Sequence, residues 1–312
     1  MKPKNSKSYV GLTLKGMLMG AADAVPGVSG GTIAFMTGIY EELIYSLKQC
    51  GISALQMLLK EGIKATWQHI NGNFLLAVFG GILLSLLTVS RVVLYLLDNH
   101  PILLWSFFFG LILAAVWSLI RHIEKWNLSI IAIFITGAVS GYYITIMSPT
   151  SIESTPLIVF ISGMIAICAM ILPGISGSFI LLLLGMYAPM LTAIKELQFF
   201  TLVIFATGCA TGLISFSHVL SWMFKHHKTK TLALLGGFML GSLNKVWPWK
   251  ETIESIIDRH GKEVPLVQEN ISPIAFESLN SQPSYLWYAI FLSLFGMFLV
   301  ILLEKIGSAD NH

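Results

Sequence analysis

Twice in this chain an apolar run stops at Pro-Gly-x-Ser-Gly and then resumes, and this restricts the fold more than any other feature. Residues 16–44 read GMLMGAADAVPGVSGGTIAFMTGIYEELI, and residues 163–191 read GMIAICAMILPGISGSFILLLLGMYAPML. An offset of 147 superimposes Gly16 on Gly163, Pro26-Gly27 on Pro173-Gly174, Ser29-Gly30 on Ser176-Gly177, Gly38 on Gly185 and Tyr40 on Tyr187. Proline removes a backbone donor and glycine adds chain entropy, so neither run continues as one helix through the break. In a bilayer the freed backbone groups are tolerated only where protein or a wet cavity satisfies them. Paired, interrupted apolar segments in the two halves of a chain point to a transporter's substrate site.

Composition sets the class. Hydrophobic residues make up 55% of the chain and charged residues 11%, and mean hydropathy is +0.77, so the chain reads as an integral membrane protein. Full spans are predicted near 74–97, 101–120, 128–147, 199–223, 231–247 and 285–304. Segments 10–45 and 156–190 are too long for one crossing and too short for two, so each reads as a re-entrant helical hairpin. The fold class expected is an all-α polytopic membrane protein.

Charge placement agrees with that topology. With the first hairpin returning to its own side, the inner segments 1–15, 46–73, 121–127, 224–230 and 303–312 hold Lys2, Lys4, Lys7, Lys15, Lys48, Lys60, Lys64, Arg121, Lys125, Lys225, Lys228, Lys230 and Lys305. Outer loops 98–101 and 148–155 hold no Lys or Arg, and 191–198 holds only Lys195. The positive-inside rule therefore favours the hairpin and puts both termini in the cytoplasm. The repeat continues at an offset of 127, where Gly81 meets Gly208, Ser90 meets Ser217, Arg91 meets His218, His100 meets His227 and Gly110 meets Gly237. The two offsets differ by the extra residues of the first half, which fall in 46–72, where Ile52, Leu55, Leu59, Ile63, Trp67 and Ile70 recur at helical spacing. That stretch is expected to lie as an amphipathic helix on the inner surface. Two repeats follow, 1–150 and 151–312, each with one hairpin and three spans. An odd number of crossings per half inverts the second copy and brings the two hairpin tips together near the midplane.

Other readings of whole segments are weaker. Residues 2–24 resemble a signal peptide ending at Ala22-Asp23-Ala24, but the pattern recurs internally and Pro26 follows closely. Residues 248–284, with four prolines, are expected to be an outer loop containing Lys250, Arg259 and Lys262 among several acids, and not a second domain. Cys50, Cys168 and Cys209 have no metal-ligand spacing and read as small buried hydrophobes. The formal charge of +3 belongs to the inner loops and gives no reason to expect nucleic acid. Neither a cofactor nor a metal site is expected.

The tips carry the chemistry. A helix restarting after Gly30 or Gly177 presents free N–H groups and the positive end of its dipole, which suits phosphate. Ser29, Gly31, Thr32, Ser176 and Ser178 add hydroxyls and close backbone approach at the same places, and the turns themselves are Pro26, Gly27, Pro173 and Gly174. The same small residues also permit close hairpin packing. Arg91 lies inside a predicted span, where a charge is by default functional, and its planar fork suits phosphate, although snorkelling to the outer headgroups is the competing reading. His218, its repeat partner, can bind phosphate when protonated, relay a proton, or simply pack neutral. Asp23 sits one turn before the first tip and has Met170 as its counterpart. Such an acid needs a partner, a cation or a proton, with Arg91, H⁺ and Na⁺ the candidates. Glu41 and Glu42 close the hairpin, where an interfacial position explains them as well as ion coupling does. Arg121, His122, Glu124, Lys125, His226 and His227 read as solvated turns. No nucleotide P-loop is present, and the serines have no base nearby in sequence, so an intramembrane enzyme is the weaker alternative.

On the run Asp23-Ala-Val-Pro-Gly-Val-Ser-Gly-Gly-Thr32, its echo Leu172-Pro-Gly-Ile-Ser-Gly-Ser178 and the hydropathy of nearly the whole chain, the sequence resembles the polyprenyl-phosphate translocase family, formerly a domain of unknown function in bacterial and archaeal membrane proteins. The resemblance implies return of undecaprenyl phosphate from the outer to the inner leaflet of the cytoplasmic membrane, recycling it for envelope glycan synthesis. The partners it implies are that lipid and the membrane lipids around it. Transport of a small anion and a scaffolding role are the rival readings.

Overall fold

The computed structural model describes residues 6–25, 28–150, 152–257 and 263–309. The first half runs α1 (Ser6–Asp23), α2 (Gly30–Met36), α3 (Tyr40–Gln49), α4 (Ile52–His69), α5 (Gly72–Leu87), α6 (Val89–Asn99), α7 (Pro101–Arg121) and α8 (Leu128–Ile146). The second runs α9 (Pro156–Ile171), α10 (Gly177–Leu183), α11 (Tyr187–Lys195) and α12 (Phe199–Ser242), then a 3-10 turn (Leu243–Val246), β1 (Lys250–Ile257), β2 (Glu263–Asn270), α13 (Pro273–Asn280) and α14 (Leu286–Ala309). Among the described residues, α7, α8 and α12 with its following turn are long and apolar enough to cross a bilayer. The count rises to five if the bent pairs α4–α5 (60°) and α10–α11 (109°) each form one span. This is a polytopic, almost wholly helical membrane protein.

The interrupted runs become the same device twice. A long helix, α1 or α9, ends at the Pro-Gly break, a seven-residue helix follows, and the chain then turns sharply at Gly38 (φ 71°) or Gly185 (φ 68°). Both turns close with the same pair of bonds. Ile39 N–H donates to the Ala34 carbonyl and Gly38 N–H to Phe35; Met186 N–H donates to Leu181 and Gly185 N–H to Leu182. This is a Schellman cap, which requires a left-handed residue at the turn and so explains glycine there. Pro26 and Gly27, one of the two expected tip turns, lie outside the described residues, whereas Pro173 and Gly174 are buried at the other.

One predicted span is corrected, and two other segments gain detail. The predicted span 74–97 is broken at Thr88 into α5 and α6. The hydroxyl of Thr88 donates to the Leu84 carbonyl one turn back, an arrangement that weakens a helix locally. Predicted spans 199–223 and 231–247 are the two arms of α12, which meet at a kink where His227 is non-helical (φ −139°, ψ 43°). Its repeat counterpart His100 has nearly the same backbone (φ −139°, ψ 52°), but Pro101 follows and starts a new helix there. Lastly, the described residues of the expected outer loop 248–284 include β1 and β2, which form an antiparallel ribbon with Lys250 opposite Asn270. Apart from this ribbon the described residues are helices and short connections, and the segment is tied down by Trp247 Nε1 donating to the Ile271 carbonyl (2.9 Å) and Trp249 Nε1 to that of Ser284 (2.9 Å).

Helix pairing follows the glycines. A methyl on Gly16 would collide with the Val78 carbonyl and one on Gly81 with that of Thr13, so α1 and α5 pack backbone to backbone. At the repeat offsets, Gly163 faces the Phe205 carbonyl and Gly208 that of Phe160, which pairs α9 with α12. The next helices are exchanged between halves. Gly110 of α7 meets Ser293 of α14 while Gly296 meets Phe107; Gly237 of α12 meets Phe134 of α8 while Gly137 meets Leu234. Without water to drive association, such close fit is what selects helix partners in lipid.

The expected surface helix is α4, preceded by α3 and kinked at Gly62. None of its residues is buried, and Ile52, Leu59 and Ile63 are 76, 79 and 77% exposed, an apolar face with no protein partner. Two buried hydroxyls, those of Tyr40 and Ser85, have no hydrogen-bond partner among the described residues, and the Tyr40 ring packs against Phe35 and Phe224. Tyr40→Phe is therefore expected to raise stability by about 1 kcal/mol, read as a higher melting temperature in detergent. A lower one would mean that the hydroxyl has a partner.

Candidate functional site

The two tips are hydrogen-bonded to each other. Ser29 caps α2 by accepting from Gly31 N–H (3.0 Å), and its own hydroxyl reaches the carbonyls of Met170 and Leu172, each at 3.1 Å. Thr32 Oγ1 accepts from Gly174 N–H at 3.0 Å. Gly31 stands against the end of α9, where a methyl would lie 2.5 Å from the Ile171 carbonyl oxygen. Ser29 and Thr32 are fully buried, so these bonds form away from water, where unpaired groups are costly. Residues of one half thus satisfy the backbone that the Pro-Gly break frees in the other.

The halves differ at the helix starts. Gly30 N–H donates to Asp23 Oδ1 at 2.7 Å, so the carboxylate already occupies the position expected for an anion at the start of α2. The expected pairing of Asp23 with Arg91 is not formed; its partner is the backbone. In the second half Met170 stands in place of Asp23, and Ser176 caps α10 by accepting from Phe179 N–H (3.2 Å). Gly177 packs on the Ala166 carbonyl, 2.7 Å from where a methyl would be, and exposed Ser178 lies 3.3 Å from the Ser176 hydroxyl.

Other candidates lie apart from the tips. Arg91 is exposed on α6 and makes no hydrogen bond or ion pair among the described residues. His218 is exposed on α12, its Nδ1 2.8 Å from the Ile214 carbonyl and its ring beside Gly51 at the α3–α4 turn. Glu42 accepts from Asn71 Nδ2 at 3.0 Å, and Glu41 pairs with Lys228 at 2.7 Å on the surface. The cysteines are free thiols, and no metal-binding cluster occurs among the described residues.

Two features escaped the sequence reading. An apolar cavity of about 420 Å³ lies between α1, α2, α6, α7 and α14. Its wall begins beside the first tip, at Ala22 next to Asp23 and Ile33 next to Thr32; Thr37 and His100 are its polar residues. Near the second tip are Lys245 and Lys250. The amine of Lys245 sits 4.4 Å from the centre of the Phe179 ring, in the first turn of α10. That of Lys250 sits 4.2 Å from the Trp105 ring and donates to the Lys245 carbonyl at 2.7 Å. Burial, and then the charge of Lys245, push the Lys250 amine down to about 7. The signal available in sequence was a lysine framed by Trp247, Pro248 and Trp249, which is unusual for a solvated loop.

Comparison with known proteins gives the family. Residues 19–264 match the family described as VCA0040-like, undecaprenyl phosphate translocase-like. The chain is similar to a polyprenyl-phosphate transporter of Vibrio cholerae, 52% identical over 298 residues that cover 96% of this chain and 97% of that protein. It is also similar to a polyprenyl-phosphate transporter of Staphylococcus aureus, 38% identical over 254 residues that cover 75% of this chain and 85% of the relative. No solved structure matches. The match spans both tips, Ser29–Thr32 and Leu172–Gly174, and on it this chain belongs to the undecaprenyl phosphate translocase-like family.

Proposed function

We propose that this protein carries a polyprenyl phosphate of the undecaprenyl class from the outer to the inner leaflet of the cytoplasmic membrane, recycling the lipid for envelope glycan synthesis. The observation that carries this reading is the apolar cavity starting at the residues that flank a polar tip. Such a lipid has one charged head and a long apolar tail; a head held at the tips and a tail in a cavity walled by Leu18, Val93, Leu104 and Phe108 match that division. A small anion would need a polar path, and these walls offer none. The homologues' names point the same way.

In this reading the chain is an inverted repeat, 1–150 and 151–312, whose re-entrant hairpins enter from opposite faces and meet near the midplane. The reciprocal glycine contacts at matching offsets support it, as do the two Schellman turns. Both termini lie in the cytoplasm, following the lysine-rich inner segments. Head-group recognition falls to Ser29, Gly30, Gly31, Thr32, Ser176, Gly177, Ser178 and Arg91, with one repeat rocking against the other to expose them to each side. Asp23 competes with the phosphate for Gly30 N–H. A proton taken up by Asp23 weakens that bond and frees the donor, which makes Asp23 the coupling group for H⁺; His218 and Glu42 are secondary candidates, and Na⁺ the alternative ion.

The test is purified protein in liposomes carrying undecaprenyl phosphate, with outward accessibility of the phosphate followed over time. Wild type is expected to equilibrate the lipid, faster with a proton gradient, and Arg91→Ala to slow it by about tenfold or more, the loss of one charge-assisted bond. Asp23→Asn is expected to remove the dependence on the gradient. Absence of wild-type movement under every gradient would sink the carrier reading.

A further inference from the structure

Lys245 and Lys250 are two amines set close together with no carboxylate paired to either among the described residues. Burial, and then the charge of Lys245, lower the Lys250 amine. Leaving two ammonium groups uncompensated in partly buried positions is unfavourable, and a fold has little reason to keep them there for packing alone. Each amine is backed by an aromatic face, Phe179 for one and Trp105 for the other, which fixes its direction. Of three N–H donors apiece, Lys250 uses one on the Lys245 carbonyl and Lys245 uses none in a hydrogen bond among the described residues. The surroundings are built: Asn270 Nδ2 donates to the Asn244 carbonyl at 2.8 Å, and the two tryptophans between the lysines are both hydrogen-bonded. The pair adjoins the second tip, since Gly174 packs on Ser242, three residues before Lys245.

We propose that Lys245 and Lys250 form a binding site for a phosphate monoester, at which the lipid head group is received beside the second tip. The lipid part of this statement rests on the transport reading above; the anion part does not. A phosphate carries about −1.5 to −2 charge at neutral pH and three acceptor oxygens, so one group neutralises both amines and takes up their spare donors. Neither a carboxylate nor a neutral head does both.

The experiment uses the full chain in nanodiscs and titrates farnesyl phosphate, farnesol and inorganic phosphate by calorimetry. Lys245→Gln and Lys250→Gln are each expected to weaken farnesyl phosphate about tenfold, and the double variant about 100-fold, as removal of charge-assisted bonds does. Farnesol binding is expected to be the same in all of them. Lys250→Arg, which keeps the charge, is expected to stay within a few-fold of wild type, and it carries the test if a Gln variant fails to fold. Unchanged farnesyl phosphate affinity in the double variant would overturn the site and leave the transport reading standing. Lysine-dependent binding of inorganic phosphate without farnesyl phosphate binding would keep the anion site and overturn its lipid ligand. Equal loss in Lys250→Arg and Lys250→Gln, or a wild type that binds no phosphate, would overturn the proposal altogether.

Discussion

Gly31→Ala is expected to slow the proposed lipid-phosphate movement by roughly 100-fold while the chain still folds, as a displacement of about 1 Å at a reacting site can. The added methyl would lie 2.5 Å from the Ile171 carbonyl oxygen, against an ordinary carbon–oxygen approach of about 3.3 Å. The closest obstacle is backbone, so turning a side chain away does not relieve it. Relief comes only by lifting α2 off the end of α9. That stretches the bonds from Ser29 to Met170 and Leu172 and from Gly174 to Thr32, which join the tips. The pairings α1–α5, α9–α12, α7–α14 and α8–α12 involve other residues, and they hold the fold meanwhile. Gly80→Ala, whose methyl would meet open space, serves as the control and is expected to transport normally. Liposome flux and thermal melting of both variants decide it: normal flux through Gly31→Ala with an unchanged melt would show that the tip contact has no part in transport.

Lys250→Met is expected to stabilise the protein by about 2 kcal/mol at pH 7 or below, although it removes a hydrogen bond and a cation–π contact. The amine ordinarily titrates near 10.5 and is held at about 7 in the fold. Between those values the unfolded chain binds a proton that the folded chain refuses, so wild-type stability rises with pH across that window, at about 1.4 kcal/mol per pH unit. Below about 7 both states are protonated and the full penalty remains. The lost contacts offset part of the gain, roughly 1–3 kcal/mol together. The advantage of the variant must therefore be greatest at pH 6–7 and shrink towards pH 10. Melting temperatures of both proteins in detergent at pH 6.5 and 9.5 test this. A variant that melts lower at pH 6.5 would mean that the amine has a compensating partner. A residue that destabilises the fold and binds the ligand is what a functional cation is expected to be.

Much of this protein was legible before folding. The hydropathy, the two Pro-Gly-x-Ser-Gly breaks and the glycines at matching offsets follow from composition and spacing, because backbone hydrogen-bonding needs in a bilayer are strict and local. The amphipathic pattern of 46–72 and the sharp turns at Gly38 and Gly185 are local in the same sense. Ser29, Thr32 and Gly174 were identifiable as tip residues for that reason. Other relations depended on geometry that no single segment contains. Asp23 took the Gly30 N–H and not Arg91, because position along a helix sets the face a side chain occupies but not which segment lies opposite it. α7 joined α14 and α8 joined α12 across the halves, because helices of equal hydropathy are sorted by which glycine admits which carbonyl. Lys250, in sequence an ordinary lysine of a polar loop, was drawn towards Trp105 when Trp247 and Trp249 tied that loop to its neighbours. Sequence by itself determined where the chain must break and which groups the break exposes; only the tertiary structure decided what satisfies them, since that is a matter of distances of about 3 Å between residues more than 140 positions apart.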